Sequence, residues 1–351
     1  MTARDAAGTS APVVIDPLHA EVDRLNKKVA ELEHFLRSAK SFDREFLVVR
    51  GSMAQRAAYA DLARRIKAPL LQQRAELGRA YCEQHSVDAA PEAAGLDLRA
   101  ADAFATLDLT KRPKVVAAVE EARRIFDETG GFEATRVGKG SLEYVISAGK
   151  SGYGKESAAY ALATSPDLLV PITRYFGALP ILTGYSISLA RNNEFHRKSS
   201  QRLHLDPEDR TQVKVFIYIT DVDENSGPFL SAGAAASEPL FTDQRLILDR
   251  MDDTVVPSGA IREAVGPAGT VTFCDTCRCL HGGARPGDRP RLMLSIEYNL
   301  PTYLWAPLYD GDGVMRNRMA GIIVETSSTF ESALLGDSLV YAPLESWAGP
   351  T

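Results

Sequence analysis

Histidine is scarce in this 351-residue chain, six in all. One of them, His204, is followed two positions later by Asp206, shortly before the β-branched and aromatic run KVFIYIT of residues 214–220. Residues two apart in extended backbone project from the same face, so this pair can close on one metal ion. The competing pair, His19 with Glu21, falls in a helical pattern where residues two apart point to different faces, and it cannot chelate. A third donor is His281, which follows the strand-like segment TVTFCD of residues 270–275. Two imidazoles and one carboxylate on one side of an ion leave positions open for O2 and a bidentate co-substrate, the ligand set of non-haem Fe(II) oxygenases.

An oxygenase of that kind needs a cationic anchor for the far carboxylate of a 2-oxo diacid, and a planar guanidinium fork suits the task. Arg291 opens the strand-like run RLMLSIEY (291–298) ten residues after His281, and is expected to run alongside the metal-bearing strands with its guanidinium aimed inward. Arg289 is the competitor, because a shift of two keeps the strand face. Pro290 separates Arg289 from the strand proper, which favours Arg291.

These segments, LHLDPEDRTQVKVFIYITDVDENSGPF and FCDTCRCLHGGARPGDRPRLMLSIEY, resemble the phytanoyl-CoA dioxygenase-like branch of the Fe(II)/2-oxoglutarate oxygenases, over residues 165 to 300. The resemblance implies a double-stranded β-helix, or jelly roll, with His204 and Asp206 on one strand. It further implies a Gly-Pro turn at Ser226-Gly227-Pro228, then His281 as the distal ligand and Arg291 as the 2-oxoglutarate anchor. Fe(II) would be the cofactor, 2-oxoglutarate and O2 the co-substrates, and the outcome hydroxylation or another oxidation of a C–H bond. Asp206 stands where halide-binding relatives carry Gly or Ala, which argues against halogenation. Two departures are the segment FLSAGAAAS after the Gly-Pro turn, where many members carry Pro-Gly-Ser-His, and Gly283, where members often place a hydroxyl.

Other readings of the same residues stay open. A cupin-type metal enzyme without 2-oxoglutarate would use the triad and leave Arg291 structural, and a non-catalytic jelly roll could hold a metal while serving binding or assembly. Cys274, Cys277, Cys279 and His281 mimic a zinc set, but structural zinc sites join separated ligand pairs, and small buried thiols beside a metal centre explain the cysteines more simply. The basic run HRKSSQR (196–202) reads as a solvated loop near the mouth. With no cue for a CoA thioester, a small anionic metabolite or sugar is the expected substrate.

The elements that must position these residues follow from periodicity. Residues 1–17 lack it and read as a flexible leader. Val22, Leu25, Val29, Leu32 and Leu36 form a heptad seam within a helix over 18–40, through which a homo-oligomer could assemble. A helical region over 41–135 includes 53–84, interrupted at Pro69, and 114–128, stopped by Gly130 and Gly131. From 136 to 351 strand patterns prevail around a helix at 165–177, giving an oxygenase core with a C-terminal extension. The class is α+β, a jelly roll flanked by helices with an N-terminal helical or coiled-coil extension. A net charge of −6 and a pI near 5.6 speak against a nucleic-acid partner. With no apolar run of spanning length, no membrane partner and a cytoplasmic location are expected.

Overall fold

In the computed structural model, residues 53–131, 143–148, 153–190, 201–241, 251, 253–284, 286, 287, 289–303, 306 and 329–336 are described. By internal contacts the chain divides into Met1–Asp43 and Arg44–Thr351, and every described residue falls in the second unit. The leader, the heptad seam with its proposed self-association, and the run 196–200 lie outside the described residues.

Helix α1 (Met53–Ile66) and helix α2 (Ala68–His85) meet at Lys67, with Pro69 in the first turn of α2. That is the position where proline's missing N–H costs least. A short turn α3 (Pro91–Ala94) leads into strand β1 (Phe104–Asp108), followed by helix α4 (Pro113–Glu128). Val115, Ala118, Val119, Ala122 and Phe126 make the buried stripe of α4, the spacing of one face of a 3.6-residue helix. Strand β2 (Glu143–Ser147), helices α5 (Ala158–Ala163) and α6 (Pro166–Phe176), and strand β3 (Ile181–Ala190) come next. The remaining elements are β4 (Val213–Tyr218), β5 (Phe229–Ser231), α7 (Gly233–Ser237), β6 (Arg262–Ala264), β7 (Thr270–Asp275), β8 (His281–Gly283), β9 (Arg291–Asn299) and α8 (Thr329–Leu335).

The strands form two antiparallel sheets. The larger has the order β1-β7-β4-β9-β3-β2, the smaller β6-β5-β8. Single bridges between His204 and His281, and between Leu203 and Met251, extend the smaller sheet beyond β8. The chain therefore alternates between sheets from β3 onward: β3, segment 203–204, β4, β5 with β6, β7, β8, β9. That alternation is the winding of a jelly roll.

Alternation along β4 fixes which side does what. Val213, Val215 and Ile217 are fully buried and join Leu168, Leu169 and Ile172 of α6 in the main core. Lys214, Phe216 and Tyr218 face the small sheet instead: the Phe216 ring lies 4.3 Å from that of Phe229 on β5, and Tyr218 Oη donates to the Ala264 carbonyl of β6 at 2.5 Å. On β9, Leu292, Leu294 and Ile296 take the helix side. Each such apolar residue contributes roughly 1.5–3 kcal/mol by burial. A one-residue slip would thrust Lys214 and Glu297 into the helix layer, so the register is strongly specified.

Two features depart from the sequence-based expectation. The region over 41–135 is interrupted by β1, an edge strand held by β7 along all five residues, Phe104↔Cys274 to Asp108↔Thr270. FATLD is too short for its own periodicity to announce it. Strand β9 also does not run alongside the metal-bearing segment: it pairs with β3 and β4 in the large sheet and reaches the small sheet only through its side chains.

Candidate metal centre

The small sheet brings the three sequence-derived donors together. His204 and His281 are directly paired, each backbone N–H donating to the other's carbonyl at 3.0 Å. Asp206, two residues on, is fixed by its own N–H donating to the Thr276 carbonyl at 2.9 Å. His204 Nε2 lies 4.0 Å from Asp206 Oδ1, and His281 Nε2 lies 3.7 Å from Asp206 Oδ2. One ligand atom from each of the three falls within 4.8 Å of the others, and both imidazoles are buried.

The far side of each ring sets its tautomer. His204 Nδ1 is 2.8 Å from the Arg202 carbonyl, and His281 Nδ1 is 3.0 Å from the Cys279 carbonyl. A carbonyl only accepts, so Nδ1 must carry the proton, and a neutral ring then presents the Nε2 lone pair to the space shared with Asp206. Two lone pairs and a carboxylate in a mostly buried site suit a borderline divalent cation such as Fe(II).

Lys214 occupies the edge of that space. Its Nζ stands 2.8 Å from Asp206 Oδ2 and 3.6 Å from Glu297 Oε1, Lys214 and Glu297 being register partners on β4 and β9. Burial alone would raise the Asp206 carboxyl, but the Lys214 ammonium, joined by the two imidazoles when no metal is bound and they carry a second proton, outweighs it and holds Asp206 well below the usual carboxylate range. Burial likewise pulls Lys214 down, and Asp206, Glu297 and Glu208 more than reverse it, so its ammonium titrates above the ordinary lysine value. Sequence reasoning missed this pair. Its only sequence signal is a charged residue at an inward position of each of two otherwise apolar strands.

The two candidate arginines part company. Arg289 is 59% exposed and pairs with Asp223. Arg291 is 4% exposed, donates from Nη1 to the Gly227 carbonyl, and leaves Nε without an acceptor among the described residues. Its guanidinium spans from the large sheet to β8, where a Cβ on Gly283 would lie 2.8 Å from Nη2. The glycine at 283, a departure in the sequence comparison, thus makes room for this side chain. Burial draws the Arg291 guanidinium below its ordinary value, opposed by Tyr218.

Cys274, Cys277 and Cys279 are buried; Cys274 and Cys279 touch each other, while Cys277 faces elsewhere. Cys274 lies within sulfur hydrogen-bonding reach of Ser231 Oγ (3.9 Å), and Cys279 of the Asp102 and Ala103 carbonyls. Cys277 borders a separate cavity with Arg56 and Leu205. Between them Asp275 acts as a hub, accepting from Tyr175 Oη at 2.7 Å and from the amides of Gln212 and Cys277 at 3.1 Å. It anchors the turn whose next residue, Thr276, holds Asp206.

No family model matches the chain, and no curated protein matches it. Among solved structures, it is similar to the non-heme alpha ketoglutarate dependent epimerase SnoN from nogalamycin biosynthesis, at 21% identity over 63% of this chain and 83% of that one, with a TM-score of 0.43. The carbocyclase SnoK from the same biosynthesis gives 16% identity, 59% and 85% coverage and a TM-score of 0.42. EctD from S. alaskensis gives 14%, 64% and 81%, and 0.44. Likenesses this distant leave function to be argued from the residues themselves. Among the described residues no helix is long and apolar enough to cross a membrane.

Proposed function

We propose that the chain is a Fe(II)- and 2-oxoglutarate-dependent dioxygenase that hydroxylates, or otherwise oxidises, a C–H bond of a small anionic metabolite or sugar. The observation that carries this reading is the convergence of His204 Nε2, His281 Nε2 and the Asp206 carboxylate beside a buried guanidinium with a spare donor, Arg291. Fe(II) with its two co-substrates supplies the oxidising chemistry, and the residues of this chain supply binding, orientation and exclusion of water.

His281 and Gly283 are two residues apart on one strand, a separation of about 6.6 Å, and the Arg291 guanidinium stands over Gly283. A five-carbon diacid can bridge that span, one end at the three ligands and its far carboxylate accepting from Arg291. The inner face of the large sheet nearby carries Ser186 and Ser295, whose hydroxyls lie 3.1 Å apart, next to the Lys214 and Glu297 pair. Hydroxyls and charges on that wall favour a polar substrate over a fatty chain. Phe216, the register partner of Ser295 on the same face, packs on Phe229 of the small sheet, whose ring also stacks on His281, and supplies the apolar part of the wall.

One observation favours a cupin-type enzyme without 2-oxoglutarate: Arg291 Nη1 already donates to the Gly227 carbonyl, a purely structural use. Co-substrate dependence separates the two. Anaerobic protein loaded with Fe(II) is titrated with 2-oxoglutarate while the weak visible band of 2-oxo acid chelation is followed. The parent should give a saturable band and His204→Ala or Asp206→Ala should lose iron. Arg291→Met should keep iron but bind 2-oxoglutarate roughly ten- to hundredfold more weakly, the loss of a charge-assisted hydrogen-bonded pair. Full iron affinity in His204→Ala would sink the metal assignment, and no band in the iron-loaded parent would favour the cupin reading.

A further inference from the structure

A cavity of about 720 Å³ lies on the far side of the metal-bearing segment. None of the three candidate ligands lines it. Leu205, which points away from its neighbours His204 and Asp206, forms part of its wall with Cys277. Helix α1 contributes Met53, Arg56, Ala57 and Arg64, and the end of α6 contributes Tyr175 and Phe176. The volume falls within the range of small-molecule sites.

The charge on this wall runs against that of the whole chain. Five arginines border the cavity, at 56, 64, 99, 210 and 278, against one acid, Glu238. Arg278 is matched by Glu238 at 2.6 Å and Arg210 by Asp61 at 2.7 Å. Arg99 donates to the Tyr175 carbonyl at 2.8 Å, and Arg64 approaches Asp209 only to 3.6 Å. Arg56 is 7% exposed. Its Nη2 donates to the carbonyls of Asp209 and Cys277, and its Nη1 has no acceptor among the described residues. Arg64 and Arg56 thus bear on the one Asp209 carboxylate, Arg99 is met by a carbonyl, and the buried Arg56 holds an unused donor among the described residues. A buried cation with an unmet donor is costly unless an anion completes it.

We propose that this cavity is a second ligand site, distinct from the candidate metal centre, that takes an organic oxyanion, a carboxylate or phosphate with an apolar body. Arg56 and Arg64 hold the anionic group. Leu71, Leu205, Phe176 and Phe241 pack the apolar part, the division of labour usual in small-molecule pockets. The arrangement does not depend on the reaction assigned to the metal centre.

Calorimetric titration of the full chain with phenyl phosphate tests it, with benzoate and inorganic phosphate in parallel to separate the carboxylate source, the phosphate source and the apolar contribution. Saturable binding at one site per chain is expected for phenyl phosphate or benzoate. Arg56→Met should weaken it about ten- to hundredfold, and Ala57→Phe, which fills the cavity without altering charge, should abolish it. Arg64→Met serves in place of Arg56→Met if that variant does not fold. Arg291→Met should bind as the parent does. Absence of saturable binding overturns the proposal, as does unchanged affinity in folded Arg56→Met and Ala57→Phe. Loss of binding in Arg291→Met alone would place the anion at the metal centre and overturn it equally.

Discussion

Lys214 is a group on which the metal-free centre depends, since its ammonium stands against both Asp206 and Glu297. Replacing it by Met leaves two largely buried carboxylates facing each other, a loss of roughly 3–5 kcal/mol for a broken buried pair. A divalent ion should recover much of that. The rise in Tm on adding Mn(II) is therefore expected to be larger in Lys214→Met than in the parent, and equal rises would show that Lys214 does not balance Asp206. Asp275 makes a pH prediction away from the metal. Burial pushes its carboxyl up to about 6, against the donated hydrogen bonds of Tyr175, Gln212 and Cys277, whereas an unfolded Asp titrates near about 3.9. The folded state binds this proton more tightly, so the contribution to stability is fully present below the unfolded value and is lost as pH rises through the folded one. The loss between pH 4.5 and 7.5 should be about 2 kcal/mol. Urea unfolding at the two pH values should show a flatter dependence in Asp275→Asn by that amount, and an unchanged dependence would refute the assignment.

Among the elements, the turn Ser226-Gly227-Pro228 ties the candidate co-substrate anchor to the small sheet. Gly227 has φ +69, and a Cβ there would lie 2.5 Å from Pro286 N and 2.6 Å from the Ala284 carbonyl oxygen. Its own carbonyl receives Arg291. Gly227→Ala should cost about 1–2 kcal/mol for the left-handed backbone alone, with displacement of the 284–286 backbone added. Thermal melting should show a lowered Tm and titration a weakened affinity for 2-oxoglutarate, with iron affinity close to the parent's. Parent-like behaviour in both would mean that this turn does not support Arg291. The long elements were legible because their patterns are strong: the stripe of α4, the break between α1 and α2 at Lys67, and the alternation along β4 and β9. The short ones were not. β1, β5, β6 and β8 have three to five residues, fewer than a periodic signal needs, and exist because longer strands or partner segments complete their hydrogen bonds.

For the molecule as a whole, the main core is apolar, built from the large sheet and its helices with Phe229 and Ala264 of the small sheet joined to it, and folding without a metal is the expected outcome. The candidate ligands nevertheless join two segments far apart in sequence, 204–206 and 281, and an ion bound only in the folded state adds to stability by mass action. At a hundredfold excess over Kd the gain is about 2.7 kcal/mol. Metal-free protein should melt cooperatively, Fe(II) or Mn(II) should raise Tm, a chelator should reverse the rise, and His281→Ala should show none. A Tm indifferent to saturating metal would count against all three ligands acting together.

What the sequence by itself determined is what depends on short spacing and side-chain chemistry. The offset of two between His204 and Asp206, the placement of His281 after a strand and the separation of Arg289 from its strand by Pro290 name the candidate site before any packing is known. Only the tertiary structure decided the rest, because it turns on which faces meet across two sheets. The Arg291 guanidinium reaches over Gly283 from the opposite sheet, Lys214 finds Asp206 across the interior, Asp275 gathers Tyr175 and Gln212 from other elements, and five arginines from separated segments meet behind Leu205. The first two join residues eight positions apart on different strands or segments and the others residues tens to hundreds of positions apart, and all are fixed by register and burial rather than by local pattern.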